Sequence, residues 1–218
     1  MPIKEIPVDA LEKIRAFVFD VDGVFTDGGL LCDDTGELYR TFNAKDTFSV
    51  RNAVAHGYRV AVITGGKSVS IVKRFATCWV PGECIFLQSL DKKAALEKFM
   101  QREGLSPEEV LSCGDDLPDV EMIRASGVGA APADAVPECL EAADWVTVSP
   151  GGKGAVREII ETVMSAQGCW DYDPALHRRT KEEFKQKEGG KDGKDSPGPL
   201  FMDTFMEEIR QWISRATD

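Results

Sequence analysis

This chain of 218 residues has few histidines and no closely spaced pair of cysteines. The first absence argues against a histidine-based metal centre, and the second against a zinc site or a disulfide framework. The two histidines, His56 and His177, are too few for a histidine-based metal centre. The six cysteines stand singly, without a Cys-x-x-Cys pair, so we expect buried or incidental thiols in place of disulfides or zinc ligands. They are Cys32, Cys78, Cys84, Cys113, Cys139 and Cys169.

Long apolar runs and an excess of positive charge are also missing. No stretch approaches the roughly 18 apolar residues of a membrane span, and the first residues, Met1–Glu5, lack the apolar core of a signal peptide. We therefore expect a cytoplasmic protein with no membrane partner. The formal net charge of −11 argues against nucleic acid as a partner, because binding to a phosphate backbone needs a basic face.

An acidic loop directly follows the first strongly apolar run. Residues 16–19 are apolar, and Asp20 and Asp22 come next, one residue apart and before Gly23. Two carboxylates crowded at the end of a strand repel each other unless a cation lies between them, which indicates a hard metal ion such as Mg²⁺. The alternative is an ordinary acidic surface loop after a buried strand.

A second acidic loop has the same form. The stretch Leu111–Asp119 is a short apolar run that ends at a glycine and continues into carboxylates and a helix start with proline in its first turn. Because parallel strands of an α/β sheet present their carboxyl ends along one edge, we expect Asp20, Asp22 and Asp115 to converge there.

Two further segments offer groups that bind phosphate. The apolar run 59–63 ends in Thr64 and then Gly65–Lys67, which together supply a hydroxyl, closely approaching backbone N–H groups and a helix start. Lys92 opens another helical pattern and could place a positive charge on phosphoryl oxygens. The alternatives are a simple glycine turn and a solvated lysine.

Apolar runs and helical patterns alternate along most of the chain. This alternation predicts an α/β fold with a mostly parallel sheet covered by helices on both faces. The expected strands lie near 16–20, 59–63, 84–87, 110–113, 127–130 and 144–148. The expected helices lie near 46–56, 67–77, 91–103, 118–126, 136–142 and 153–166.

One segment breaks this rhythm. Residues 29–42 read as two short strands around a polar turn, which predicts a β-hairpin. The interval between Asp22 and Thr64 must also hold a helix and a strand, so it has no room for a separate domain over the site.

These motifs, in this order, resemble the haloacid dehalogenase-like phosphohydrolases from about residue 14 to residue 168. Residues 22–28, 42–46, 114–119, 132–135 and 151–158 look more closely like the 3-deoxy-D-manno-octulosonate 8-phosphate phosphatases. That family also includes phosphatases of nine-carbon 2-keto sugar acids. The resemblance implies a Rossmann-like three-layer α/β/α fold in which a β-hairpin insertion replaces the cap domain, and a homotetramer that covers the open site.

The resemblance also implies roles for individual residues. Asp20 would be the nucleophile and Asp22 the general acid and base, while Thr64 and Lys92 would bind the transferring phosphoryl oxygens. The implied Mg²⁺ ligands are Asp20, the backbone carbonyl of Asp22, and Asp115. The remaining carboxylates, Asp116 and Asp119, would orient the lysine and the metal-bound waters.

The substrate is less directly indicated. In the resembling octulosonate phosphatases an arginine follows the Thr-Gly step, and in a related nine-carbon group a glutamate does, whereas Gly66 stands here. Candidate residues for binding the sugar acid are Lys45, Asp46, Gly65, Lys67 and Arg157. The charged members could equally be ordinary surface charge. Asp46 is followed by Thr47 where the family usually has glycine.

We therefore expect a Mg²⁺-dependent phosphatase of a 2-keto-3-deoxy sugar acid phosphate, with 3-deoxy-D-manno-octulosonate 8-phosphate preferred. The near alternative is a phosphatase of a nine-carbon, sialic-acid-type phosphate. Alternatives from other classes are a catalytically idle domain that serves assembly or regulation, and a phosphoacceptor signalling domain.

The chain is expected to divide into three parts. The phosphatase core spans 1–168, with the hairpin flap at about 29–42. Residues 169–199 are expected to form a flexible linker, because 180–199 are rich in Lys, Glu, Gly, Asp and Pro. Apolar residues at helical spacing predict an amphipathic helix over 200–218, docked either on its own domain or on a neighbouring subunit or partner.

Overall fold

The computed structural model of the chain describes residues 8–189. These residues form two compact units, 8–172 and 173–189, which are described separately below. The predicted helix over 200–218 and the end of the predicted linker, 190–199, lie outside the described residues.

A parallel six-stranded sheet forms the centre of the first unit. The strands of the described chain are β1 (Ala16–Phe19), β2 (Leu31–Cys32), β3 (Leu38–Tyr39), β4 (Arg59–Ile63), β5 (Ile85–Phe86), β6 (Val110–Cys113), β7 (Val128–Ala131) and β8 (Trp145–Val146). The sheet has the order β5-β4-β1-β6-β7-β8, and every neighbouring pair is parallel. Phe19 at the end of β1 pairs with Val62 on one side and Cys113 on the other, so the three strands end within one residue of one another.

Helices connect the strands, as the alternating pattern predicted. Their bounds are α1 (Val8–Leu11), α2 (Ala44–Ala55), α3 (Val69–Ala76), α4 (Lys92–Glu103), α5 (Val120–Arg124), α6 (Pro137–Ala142), α7 (Ala155–Ala166) and α8 (Pro174–Gly189). Three 3₁₀ turns cover Gly82–Cys84, Pro107–Glu109 and Leu117–Asp119. The helix expected at 118–126 begins as the last of these turns, because Pro118 fits the first turn of a helix and has no N–H to donate.

The centre of the sheet is fully buried. All four residues of β1 are buried, as a parallel sheet covered on both faces requires. Phe19 packs edge-on against Phe25, at 5.3 Å between ring centroids, and Phe25 packs against Phe75 at 4.8 Å. This aromatic cluster lies beside the loop that follows β1 and gives that loop a rigid base.

The insertion after β1 is a β-hairpin, as predicted. Strands β2 and β3 are antiparallel, and Leu31 pairs with Tyr39. The turn is organised by Asp33, whose carboxylate accepts hydrogen bonds from the backbone N–H of Thr35 at 2.9 Å and of Glu37 at 3.0 Å. Between β1 and β4 the chain holds only this hairpin and α2, so no cap domain is present in that interval.

Within the expected linker 169–199, Pro174–Gly189 form helix α8, which the sequence analysis did not predict. The backbone N–H of Ala175 donates to the Asp173 carboxylate at 2.8 Å, which caps the helix start. Arg179 lies 4.0 Å from Glu183, one turn further on. A charged, apolar-poor composition was read as disorder, although Lys, Glu, Arg and Gln also favour helix.

None of the helices in residues 8–189 combines the length and the apolarity needed to cross a lipid bilayer.

Candidate active site

A pocket of about 400 Å³ lies at the carboxyl ends of the central strands. Its lining residues come from the loops that follow β1, β4, β5 and β6. They are Asp20, Asp22, Gly28, Thr64, Gly65, Gly66, Ser89, Leu90, Lys92, Asp115, Asp116 and Pro118. The fold thus brings to one pocket the predicted nucleophile, acid–base, phosphate-binding and metal-binding residues, which the sequence had placed in four separate segments.

Three carboxylates converge beside this pocket. Oxygen atoms of Asp20, Asp115 and Asp119 all lie within 4.8 Å of one another. Asp119 is completely buried, and its Oδ2 accepts hydrogen bonds from the backbone N–H groups of Asp115 at 3.1 Å and Asp116 at 3.2 Å. Asp119 therefore holds the second acidic loop in shape.

The clustering raises the proton affinity of two of these carboxyl groups. Burial, reinforced by the negative charge of Asp119, raises the pKa of Asp20 to about 7. The same two causes raise the pKa of Asp115 to about 7. A carboxyl group with an ordinary pKa near 4 would be fully ionised at neutral pH, whereas Asp20 and Asp115 keep part of their protons because ionising both would add negative charge beside Asp119 in a buried cluster.

The residues fit a hard divalent cation. Asp115 Oδ1 is buried and has no hydrogen-bond partner. Asp20 Oδ1 is also buried and has Lys92 Nζ at 3.0 Å, without a properly aligned hydrogen bond. Orphaned carboxylate oxygens are rare in protein interiors, and oxygen donors are the ligands that Mg²⁺ and similar ions prefer.

Gly23 allows the two acidic loops to approach this closely. Its backbone has a φ of +88°, and a Cβ at this position would lie 2.0 Å from Asp115 Oδ2. Any side chain would therefore displace the Asp115 carboxylate as well as strain the backbone.

Lys92 and Thr64 provide the positive charge and the hydroxyl group of the site. Lys92 is buried and lies 2.5 Å from Asp119 Oδ1, in addition to its contact with Asp20. Burial alone would lower the pKa of Lys92, but the two carboxylates outweigh it, so this pKa is raised and the amine stays protonated. Thr64 Oγ1 accepts a hydrogen bond from the Gly66 N–H at 3.0 Å, which leaves its own proton free for a ligand.

Asp22 has a partner that the sequence reasoning missed. Arg40, from the end of the hairpin, donates from Nε to Asp22 Oδ1 at 2.7 Å and from Nη2 to Asp22 Oδ2 at 2.8 Å. One signal could have indicated it, because Arg40 is the only lysine or arginine in residues 29–42.

Among the residues expected to bind the sugar acid, only Gly65 lines the pocket. Lys45 and Lys67 are exposed and lie outside its lining. The Arg157 side chain pairs with Glu161 at 2.8 Å, and it too is outside the lining.

The expectation for Asp46 is corrected. Its side chain is completely buried, and Oδ1 accepts a hydrogen bond from the backbone N–H of Arg157 at 2.8 Å, at the start of α7. The carboxylate therefore joins α2 to α7, and Asp46 does not line this pocket. The sequence could not distinguish this buried contact from surface charge.

The comparisons with known proteins agree with this geometry. The family model described as haloacid dehalogenase-like hydrolase matches residues 66–160. The 3-deoxy-D-manno-octulosonate 8-phosphate phosphatase of Escherichia coli strain K12 is 34% identical over 170 residues, covering 78% of this chain and 89% of the relative.

Two solved structures are similar in fold and sequence. The cobalt-bound form of the Haemophilus influenzae octulosonate 8-phosphate phosphatase has a TM-score of 0.71 and 33% identity, covering 78% of this chain and 99% of its own. The Moraxella catarrhalis 3-deoxy-D-manno-octulosonate 8-phosphate phosphatase, in complex with magnesium, phosphate and the sugar acid, has a TM-score of 0.71 and 28% identity. That match covers 74% of this chain and 91% of the other.

Because a curated relative above 30% identity is matched over most of its length, and because the site carries the predicted carboxylates, lysine and threonine, the family assignment is secure. This chain belongs to the 3-deoxy-D-manno-octulosonate 8-phosphate phosphatase family of the haloacid dehalogenase-like hydrolases, and it is a phosphoric monoester hydrolase.

Proposed function

We propose that this enzyme hydrolyses 3-deoxy-D-manno-octulosonate 8-phosphate with the aid of Mg²⁺, through a phosphorylated aspartate. The observation that carries the proposal is the convergence of Asp20, Asp115 and Lys92 at one pocket, in a chain whose relatives act on this sugar acid phosphate. The pocket is open, and Thr64, Lys92 and the backbone of Gly65 in its lining suit the phosphoryl end of a small ligand.

The proposed reaction has two steps. In the first, Asp20 attacks phosphorus while the bond from phosphorus to the sugar oxygen breaks, and Asp22 gives its proton to that oxygen. In the second, a water molecule attacks the phosphorus, Asp22 takes the proton of the water, and the bond to Asp20 breaks. Inorganic phosphate and the free sugar acid leave, and both carboxyl groups return to their starting state.

Other side chains hold the transferring group during both steps. The proposed roles of Lys92 and Thr64 are to bind phosphoryl oxygens, with the backbone of Gly65 alongside. Lys92 is kept charged by the carboxylates on either side of it. Asp119, itself completely buried, keeps Lys92 and the second acidic loop in place through hydrogen bonds from Lys92 Nζ and from the backbone N–H groups of Asp115 and Asp116.

Three groups would hold the cation, namely the Asp20 carboxylate, the Asp22 backbone carbonyl and the Asp115 carboxylate. When bound, Mg²⁺ supplies the positive charge that lets an anionic carboxylate approach an anionic phosphate ester. Magnesium is bound in the Moraxella catarrhalis relative and cobalt in the Haemophilus influenzae relative, which supports a divalent ion here.

We also propose that the enzyme assembles as a homotetramer in which hairpins of neighbouring subunits cover one another. The hairpin exposes apolar side chains that water disfavours, with Leu31 at 71% and Tyr39 at 52% exposure. An isolated two-stranded hairpin is marginally stable and gains from such packing.

The test is phosphate release from a panel of substrates, measured with and without Mg²⁺. The panel contains the eight-carbon acid phosphate, a nine-carbon sialic-acid-type phosphate and a simple sugar phosphate. We expect the highest kcat/KM for the eight-carbon acid, dependence on added Mg²⁺, and a loss of at least about a thousandfold in Asp20→Asn. The matched control is Asp34→Asn, which alters an exposed carboxylate of the hairpin turn and should be fully active.

The covalent step is read separately, by mass spectrometry of the protein after rapid quenching. A phosphoryl adduct on the Asp20 peptide is expected in the wild type and absent in Asp20→Asn. Undiminished turnover in Asp20→Asn would contradict the assigned nucleophile. A higher kcat/KM for the nine-carbon substrate would identify the enzyme as a phosphatase of nine-carbon sugar acid phosphates. If no member of the panel is hydrolysed, the result would favour a catalytically idle domain.

A further inference from the structure

Within the described residues, Arg40 is the cation that contacts the Asp22 carboxylate, and it makes a two-point contact. Nε and Nη2 each donate to a different carboxylate oxygen, at 2.7 Å and 2.8 Å. The planar guanidinium matches the planar carboxylate, so such a pair restricts both the position and the rotation of the acid. The Arg40 side chain is only 2% exposed, whereas that of Asp22 is 28% exposed and lines the pocket.

The guanidinium is itself held from the hairpin. Arg40 Nη1 donates to the backbone carbonyl of Leu38 at 3.2 Å. Glu37, on the same hairpin, accepts a hydrogen bond from the Ser68 hydroxyl just before α3. The hairpin is thus hydrogen-bonded to the loop after β1 through Arg40 and to the loop after β4 through Glu37. These contacts fix the position of the Arg40 guanidinium.

Gly66 leaves the space that Arg40 occupies. A Cβ at position 66 would lie 3.1 Å from Arg40 Nη2 and 3.0 Å from Ile71 Cδ1. These contacts, and one of 3.3 Å to Thr64 Oγ1, are tighter than normal, so a side chain at position 66 requires the guanidinium to shift relative to Asp22 or its other neighbours to give way. The absence of a side chain at Gly66 and the position of the Arg40 guanidinium therefore depend on each other.

The contact leaves Asp22 able to react. Each carboxylate oxygen has two lone pairs, and Arg40 occupies one on each, so the other can face the pocket. After Asp22 has given its proton away, the two hydrogen bonds from Arg40 hold the remaining carboxylate in one orientation. This ionised and oriented carboxylate is the form that takes a proton from the attacking water in the second step.

We propose that Arg40 is a positioning residue for Asp22 in the breakdown of the phosphorylated enzyme, and that Gly66 provides the space for it. The proposal rests on the two-step function proposed above.

The first test compares Arg40→Ala with the wild type, using the full chain and the best substrate of the panel with Mg²⁺. We expect kcat to fall about tenfold to a hundredfold, because an acid–base group loses its orientation. KM is expected to stay within about threefold, since Arg40 is outside the pocket lining. The fraction of quenched enzyme that carries phosphate on Asp20 should rise, because the second step slows more than the first.

Chemical rescue separates positioning from a general structural role. Guanidinium at tens of millimolar should recover part of the lost kcat in Arg40→Ala, whereas sodium chloride at equal ionic strength should not. The control variant is Arg15→Ala, which removes an exposed arginine–carboxylate pair with Glu109 at the amino end of β1 and should leave kcat unchanged.

A second variant keeps Arg40 in the chain. Gly66→Ala should reduce kcat in the wild-type background and have little further effect in the Arg40→Ala background, which makes the double-mutant cycle non-additive. This arm remains informative if Arg40→Ala folds poorly.

The inference is overturned if kcat of Arg40→Ala is unchanged, if the loss lies entirely in KM, if guanidinium restores nothing, or if the two substitutions are additive. Failure of the proposed function has a different signature. It would show as the absence of a phosphoryl adduct on Asp20 in the wild type, before any variant is compared.

Discussion

At the residue scale, the site is defined by an excess of buried negative charge. Asp20 and Asp115 both have pKa values raised to about 7 by burial and by the charge of Asp119, despite the nearby Lys92. The negative charge of these two carboxyl groups can be neutralised by a bound cation or by protons. Either can neutralise the cluster, so metal binding and protonation compete.

This competition predicts proton release on metal binding. Near pH 6.5 the two carboxyl groups retain much of their protons, so adding Mg²⁺ should release protons, and the apparent affinity should rise with pH up to about 7 and then level off. Near pH 9 little release is expected, because both groups are already ionised. Isothermal titration calorimetry in two buffers of different ionisation enthalpy measures the number of protons released.

The matched variants for this measurement are Asp115→Asn and Asp34→Asn. The first removes one ligand and should abolish most of the binding heat, whereas the second alters an exposed hairpin carboxylate and should titrate like the wild type. Absence of proton release at pH 6.5 would show that the cluster is ionised without a metal, contrary to the raised pKa values.

At the element scale, buried polar contacts fix how helices pack around the sheet. The clearest case joins α2 to α7, where buried Asp46 accepts the N–H of Arg157 in the first turn of α7. A carboxylate is well matched to the positive end of a helix. Burial nevertheless raises the pKa of Asp46, and the backbone N–H groups of Arg157 and Gly154 offset only part of that effect.

Substitutions of Asp46 should separate its hydrogen bond from its charge. Asp46→Ala leaves buried N–H groups unpaired and should lower the free energy of unfolding by about 2 to 3 kcal/mol. Asp46→Asn keeps an acceptor and removes the buried charge, so its stability should match or exceed that of the wild type at neutral pH. Denaturation by urea, followed by circular dichroism, measures both.

The pH dependence follows from the direction of the shift. A carboxyl whose pKa is higher in the folded than in the unfolded protein contributes no penalty below the unfolded value of about 4. It costs stability progressively as the pH rises through the folded value. The advantage of Asp46→Asn over the wild type should therefore grow between pH 4 and neutral pH. An advantage that shrinks over this interval would mean that the carboxylate is favoured in the folded state.

The elements also mark how far local sequence patterns reach. The alternating strands and helices were predictable because each apolar run is short and bounded by turn residues, and because β1, β6 and β7 are buried throughout. The ends were less predictable. Strand β8 covers only Trp145–Val146 of the run 144–148, and α5 is preceded by a 3₁₀ turn, because pairing partners and caps set those limits. Helix α8 was not predictable from composition, because a charged segment with few apolar residues is typical both of disorder and of an exposed helix.

At the scale of the whole molecule, the open pocket and the apolar hairpin raise the question of assembly. Leu31 is largely exposed in the single chain, so burying it between subunits would stabilise the tetramer. If hairpins pack against neighbouring subunits, Leu31→Glu should weaken the tetramer, because it removes this apolar contact and places a charge in the interface. Size-exclusion chromatography with multi-angle light scattering should give a tetramer for the wild type and smaller species for Leu31→Glu. The matched control is Thr35→Glu, at the polar turn of the same hairpin, which should remain tetrameric.

The activity of these species decides whether assembly serves catalysis. We expect Leu31→Glu to lose activity in proportion to its dissociation, with activity partly recovered at high protein concentration. A wild-type enzyme that is monomeric and fully active would contradict the proposed assembly.

The sequence by itself determined the parallel α/β fold, the edge at which the site forms, and the residues Asp20, Thr64, Lys92 and Asp115. These follow from local pattern, because the direction of a parallel strand decides where the residues after it will lie. Only the tertiary structure decided that Arg40 holds Asp22, and that Asp46 caps a helix 111 residues further along. Such pairings join segments that are distant in the sequence, and their partners are chosen by packing, which no local pattern encodes.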